Sequence, residues 1–177
     1  MLPSFEHTTT ERLRLRALRE SDLEAMFALH ADPETNRFSP LGPWRTREGM
    51  RELLALWVED WSHRGVGYWA VEPREAPGVV VGLGGVRYKE LEGQRVLNLA
   101  YRFAPRTWGS GYATEVSRVA LALAREHLPG TPVVAVIHPD NIASLRVAER
   151  LGMRLDRVIP YEGTPSRVYV VPSGTAG

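Results

Sequence analysis

Arginine alternates with apolar residues in the run RLRLRALR, Arg12 to Arg19, so that Leu13, Leu15 and Ala17 share one face and arginines the other. A period of two over this length predicts a half-buried strand. The period then changes. In ESDLEAMFALHAD, Leu23, Met26, Phe27 and His30 recur at helical spacing, Ser21 or Asp22 is placed as N-cap, and Pro33 closes the helix. A proline-rich loop, PETNRFSPLGPWRT, leads into a second helix over about Arg47 to His63, ended by Gly65 and Gly67. GYWAVEP and GVVVGLGGVRY read as two strands of a hairpin turned at PREAPG. QRVLNLAYRFAP is a third long strand, with Leu97, Leu99, Tyr101 and Phe103 on one face and Val96, Asn98, Ala100 and Arg102 on the other.

Beyond it, Tyr112, Val116, Val119, Ala120, Leu123 and His127 fall at three- and four-residue intervals, which predicts an amphipathic helix. TPVVAVIHP follows as a buried-type strand, then NIASLRVAERLG as a helix with Asn141 as N-cap and Gly152 as its stop. MRLDRVIP and SRVYVVP are the last strands, and residues 172–177 read as a loose tail. The expected order is β-α-α-β-β-β-α-β-α-β-β. That order implies an α/β (α+β) fold with a mixed sheet of six to seven strands and about four helices, in one domain over residues 1–177 with its core in 11–171.

Composition narrows the chemistry. The chain has 177 residues, 44% apolar and 24% charged, which is ordinary for a soluble globular protein. No apolar run approaches the length of a membrane span, and the N-terminus lacks a signal-peptide pattern, so a cytoplasmic location is expected. The absence of cysteine excludes disulfides, thiolate metal sites and a cysteine nucleophile. A net charge of +1 gives no nucleic-acid footprint, and the five histidines show no metal-ligand spacing.

The candidate chemistry sits in RTWGSGYATE, Arg106 to Glu115, between the long strand and the amphipathic helix. A helix N-terminus presents unpaired N–H groups and the positive end of the macrodipole, which suits an anion. Gly109 and Gly111 would clear side chains from those N–H groups, and Arg106 could add charge; glycines needed only for turn geometry are the alternative. The run is not a P-loop, having no lysine. It is a poor dinucleotide fingerprint, since Thr114 stands where the third glycine belongs and antiparallel strands precede it.

Arg106-Thr-Trp-Gly109-Ser-Gly111 fits the [QR]-x-x-G-x-[GA] signature of the GNAT superfamily of acyl-CoA-dependent N-acyltransferases, which the chain resembles. The longer run LAYRFAPRTWGSGYATE, followed by VIHPDNIASLRVAERLGM, is similar to the branch containing the ribosomal-protein-alanine N-acetyltransferases, the Rim type. The resemblance implies acetyl-CoA as co-substrate and no metal. It implies that the N–H groups of Trp108, Gly109, Ser110, Gly111, Tyr112, Ala113 and Thr114 hold the pyrophosphate, while the backbone from Leu99 through Ala100 and Tyr101 to Phe103 holds the pantetheine arm. It places Asn141 and Ser144 beside that arm; because the position where many relatives carry a tyrosine is Ala148, the proton donor to the departing thiolate is Ser144, a water or no dedicated group. Where related enzymes often carry a glutamate base, this chain has Asn98. His138 is a further candidate proton carrier.

The implied reaction is direct attack of a primary amine on the thioester. The acceptor is a protein N-terminal α-amine or a small-molecule amine. A non-catalytic acyl-CoA-binding sensor is the rival from another class. No nucleic-acid or membrane partner is expected, and a homodimer is expected only by resemblance. The acceptor pocket is expected from the first two helices, their loop and the late loop PYEGTPSR, with Trp57 and Trp61 as core.

Overall fold

A computed structural model describes residues 3–173; the reading of 172–177 as a loose tail lies mostly outside the described residues. The chain opens with a single helical turn, α1 (Pro3–Glu6), and a short strand, β1 (His7–Thr9). Then come β2 (Leu13–Ala17), α2 (Leu23–Ala31), α3 (Arg47–Arg64), β3 (Tyr68–Pro73), β4 (Gly82–Leu91), β5 (Gln94–Phe103), α4 (Tyr112–His127), β6 (Val133–Ile137), α5 (Ile142–Arg150), β7 (Arg154–Tyr161) and β8 (Thr164–Val170). From β2 onward this is the order expected from the sequence.

The strands form one eight-stranded sheet in the order β1-β2-β3-β4-β5-β6-β8-β7. Every neighbouring pair is antiparallel except β5 and β6. The sheet is mixed, as expected, with one strand more than the six to seven read from the sequence. The extra strand is β1. Its three residues carry no alternation of their own; it pairs with β2 through His7↔Arg16 to Thr9↔Arg14. What places it is distant. Phe5 is fully buried against Trp69, whose indole N–H donates to the Phe5 carbonyl.

The two faces of the sheet bury separate clusters. Leu97, Leu99 and Phe103 of β5 pack with Val116, Ala120 and Ala124 of α4 and with Leu145 and Ala148 of α5. On the other face, Tyr68, Ala70 and Leu83 pack with Met26 and Leu29 of α2 and with Met50, Leu54 and Trp57 of α3. Trp57 and Trp61 are core, as the helical spacing suggested. The start of α2 differs from the sequence reading. Asp22 makes no side-chain cap. Its carboxylate instead takes a two-point ion pair from Arg16, at 2.8 and 2.9 Å, and accepts from the Arg19 N–H at 2.8 Å. A charged bidentate partner outcompetes a cap that contributes about 1 kcal/mol. No helix among the described residues is long and apolar enough to cross a membrane.

Candidate active site

The site begins where two strands part. β5 pairs with β4 along its whole length, Gln94 to Phe103. With β6 it shares only Leu97↔Val133 and Asn98↔Val134. β6 stays in register with β8 from Val134 to Ile137, so it leads away from β5 and a wedge opens between them. The Leu97 N–H donates to the Pro132 carbonyl at 2.8 Å, which shows that odd-numbered residues of β5 turn their backbone groups toward the wedge. Past Asn98, the Leu99 carbonyl and both backbone groups of Tyr101 therefore have no ladder partner on β6. The Phe103 carbonyl is taken by the Trp108 indole N–H at 2.9 Å. Backbone groups at such an edge need a partner from outside the sheet.

At the wide end of the wedge lies the glycine turn. Gly109 and Gly111 both have φ of +82°, a conformation that L side chains rarely adopt. A Cβ on Gly109 would meet nothing within 4 Å, and one on Gly111 would meet only Arg12 Nη2, at 3.5 Å. Gly111 is the N-cap of α4 and supplies no side-chain cap, so the N–H groups opening the helix, from Tyr112 to Thr114, are uncapped. Ser110 and Arg106 are exposed, and Trp108 is 53% exposed. This turn and the open β5 edge are continuous. Together they fit an extended ligand with an anionic end and an amide-bearing arm, which is the chemistry of coenzyme A.

Glu115, one turn into α4, does more than face the helix dipole. It accepts from Arg12 Nε at 2.7 Å, from the Arg12 N–H at 3.1 Å and from the Thr10 hydroxyl, clasping the segment before β2 onto the glycine turn. Burial alone would raise its pKa, but the bonds from Thr10 and Arg12 outweigh that and hold it below the usual carboxylate range. The sequence signal for this was the arginine at the head of RLRLRALR, which by itself names no partner.

The other wall is α5. Asn141 caps it, its Oδ1 accepting the Ser144 N–H at 3.2 Å. Burial pushes the Tyr101 phenol up to about 12, and Ser144 opposes the shift. Ala148 is buried in the core. At the end of β6, His138 Nδ1 accepts the Asp140 N–H at 3.0 Å.

Asn98 and Arg102 point to the opposite face, with Ala100. Asn98 is buried and its Nδ2 donates to the Tyr68 hydroxyl at 2.8 Å. Burial raises the Tyr68 phenol to about 12, against that bond. Across the sheet from Asn98, Arg87 pairs with Asp60 of α3 at 2.8 Å. Arg102 reaches under the α2–α3 loop, where Nη1 donates to the Thr35 carbonyl at 3.1 Å and to Asn36 Oδ1. Two residues further, Phe38 packs on His138 with ring centroids 5.4 Å apart. The loop thus spans the wedge from β5 to β6, a roof that the sequence placed near the acceptor without showing its anchors. Among the described residues there is no cluster of three metal-ligating side chains.

A sheet parted between two parallel strands, with an uncapped glycine turn opening a helix at the wide end, defines a class of acyl-transferring enzymes. Residues 12–154 match the family described as Acetyltransferase (GNAT) domain. The chain belongs to this family and is an N-acetyltransferase with acetyl-CoA as co-substrate. It is 34% identical over 166 residues to the uncharacterized protein YkkB of Bacillus subtilis, covering 90% of this chain and 92% of that protein. Among solved structures it is similar to an acetyltransferase from Agrobacterium tumefaciens, with 27% identity, a TM-score of 0.80 and 93% of both chains covered. Two more share the fold. The ribosomal L7/L12 α-N-protein acetyltransferase RimL, in complex with coenzyme A, has 17% identity, a TM-score of 0.71 and coverage of 94% and 98%. Spermidine N-acetyltransferase from Vibrio cholerae, in complex with CoA and spermine, has 20% identity, a TM-score of 0.69 and coverage of 89% and 92%.

Proposed function

We propose that this enzyme acetylates an α-amine, with a protein N-terminus as the first acceptor class, by direct attack on the thioester of acetyl-CoA in the wedge between β5 and β6. The observation that carries this reading is the continuity of the unladdered β5 edge with the uncapped glycine turn. The turn N–H groups from Trp108 to Thr114 bind the pyrophosphate, helped by the exposed Arg106. The open backbone of Leu99 and Tyr101 binds the amides of the pantetheine arm, much as another strand would. Asn141 and Ser144 flank that arm. The Ser144 hydroxyl, backed by a Tyr101 phenol that keeps its proton, is the donor to the departing thiolate.

The argument for an α-amine is energetic. The attacking nitrogen must be neutral. Neutralising an α-amine at pH 7 costs roughly 1.4 kcal/mol and a lysine roughly 4.6 kcal/mol. Asn98 cannot take a proton, and its amide is already committed to Tyr68. The Asp60 carboxylate nearby is held by Arg87. A site so equipped suits the less basic amine.

The test is release of free thiol from acetyl-CoA in the presence of Ala- and Ser-terminated peptides, an N-blocked lysine peptide, polyamines and aminoglycosides. The protein has no cysteine and adds no thiol background. Turnover with the α-amine peptides supports the reading. Turnover confined to lysine, polyamines or aminoglycosides refutes the acceptor class. No rise in melting temperature with CoA would refute the assignment of the wedge.

A further inference from the structure

Arg102, on the same face of β5 as Asn98, does more than anchor the loop, because it brings a charge that those bonds do not cancel. It is half-buried, and no carboxylate among the described residues pairs with it. Its partners are the Thr35 carbonyl and Asn36 Oδ1, both neutral, and these occupy Nη1 alone. Keeping a full charge there is costly: burial brings the guanidinium down to about 10.

The neighbours on each packed element leave the charge uncancelled. On β4 the cross-strand residue is Leu83. On α2, Glu24 pairs with Arg47, and His30 is 4% exposed, its Nδ1 bonding the Met26 carbonyl at 2.7 Å. On the loop, Asp32 Oδ1 accepts the Glu34 N–H at 2.9 Å, and neither acid pairs with Arg102. Toward the narrow end of the wedge, Asp60 is neutralised by Arg87, and Lys89 bonds the Tyr161 hydroxyl. Across the wedge stands His138. His30 already registers the field: burial, and then the charge of Arg102, bring it down to about 4.

We propose that Arg102 activates the acceptor electrostatically: its unneutralised guanidinium, fixed under the roof of the wedge, favours the neutral form of the bound amine in place of a general base. This rests on the acetyl-transfer reading above. On binding, the ammonium releases one proton to water. The neutral nitrogen forms the C–N bond as the C–S bond breaks, and the second proton lost by nitrogen ends on the departing thiolate. The same field repels a second ammonium, so the acceptor class is a monoamine of low pKa rather than a polyamine.

The experiment compares the parent, Arg102→Gln, which loses the charge, and Arg102→Lys, which keeps it on a side chain of similar reach. kcat at saturating amine, which reports the ionisation of the bound acceptor, is measured from pH 6 to 10 with the best amine of the panel, and the His30 titration is followed by NMR without substrate. In Arg102→Gln the rising limb of kcat moves up by about one pH unit, roughly a tenfold loss at neutral pH that is recovered at high pH. His30 titrates higher in the same variant, and Arg102→Lys resembles the parent in both. An equal loss at every pH, or an unmoved limb, overturns the proposal and leaves Arg102 as a fastener of the loop. A polyamine as best substrate overturns it too. If the parent acetylates no amine at all, the acetyl-transfer reading fails and takes this with it, while the His30 titration still reports whether Arg102 acts as a free charge.

Discussion

Phe38 lies against His138, ring centroids 5.4 Å apart, and this contact joins the loop between α2 and α3 to the far wall of the wedge. The near wall is joined two residues earlier, where Asn36 accepts from Arg102. An aromatic pair of this kind contributes about 0.5–1.5 kcal/mol beyond its buried area. Phe38→Ala is expected to free one side of the roof while leaving the β5 edge and the glycine turn intact. KM for the acceptor should rise roughly three- to tenfold, that energy converted to an affinity. The rise in melting temperature on adding CoA should stay at the parent value. A variant that loses CoA binding instead would place Phe38 on the cofactor side.

The glycine turn is open to a sharper test because its two glycines differ in surroundings but not in conformation. Both have φ of +82°. A β-carbon at residue 109 has free space, so Gly109→Ala isolates the backbone strain, about 1–2 kcal/mol for an L residue in this region. Relief of that strain means a changed turn, with its N–H groups no longer convergent. Calorimetric titration with CoA is expected to show at least tenfold weaker binding for Gly109→Ala, with the unliganded protein melting only a few degrees lower. Unchanged affinity would mean that the turn N–H groups do not hold the pyrophosphate.

Much of this architecture was legible in the sequence, and the limits have physical causes. β2 announced itself because it buries alternate residues, and α4 because its apolar positions face one cluster; β5 was legible as a long strand although both of its faces are covered. Asn141 was readable as a cap because a cap is a bond between residues three apart. β1 was not, since it exists through the burial of Phe5 against Trp69, sixty-four residues away in the chain. The clasp of Glu115 on Arg12 spans 103 residues, and the grip of Arg102 on Asn36 spans 66. Nothing in local pattern encodes such partners. The sequence therefore named the candidate ligand and the strand and turn that border the wedge, and missed the contacts that fix the loop over the wedge and the N-terminal segment against the turn.

His30 should leave a signature in the stability of the unliganded protein. Burial, then Arg102, depress its folded pKa to about 4, against 6.5 when unfolded. The unfolded chain thus binds a proton that the folded one refuses. The penalty is absent above pH 6.5, grows as pH falls through that value, and is complete below about 4. Between pH 7 and pH 5 it should amount to about 2 kcal/mol. Urea denaturation of the parent and of His30→Gln at the two pH values would measure it. The variant should lose less stability on acidification by about that amount, and equal losses would show that His30 titrates normally.

The Asn98–Tyr68 bond lies where a catalytic carboxylate would be expected, and both partners are buried. Its worth can be separated from its chemistry. Asn98→Ala leaves the Tyr68 oxygen without its donor, and Tyr68→Phe leaves the Asn98 amide without its acceptor. Each single change should destabilise the fold by about 1–3 kcal/mol, because an orphaned buried polar group bears its full desolvation cost. The double variant leaves neither group orphaned by the loss of the other. It should therefore be more stable than the sum of the single effects indicates, with a coupling of about 1 kcal/mol in a urea-denaturation cycle. Activity supplies the second half of the argument. If Asn98 serves only to position Tyr68 and the strand, Tyr68→Phe should reproduce most of the activity lost in Asn98→Ala. If Asn98 itself touches the acceptor, Asn98→Ala should lower kcat/KM by at least a further tenfold, about 1.4 kcal/mol of transition-state binding, at unchanged CoA affinity.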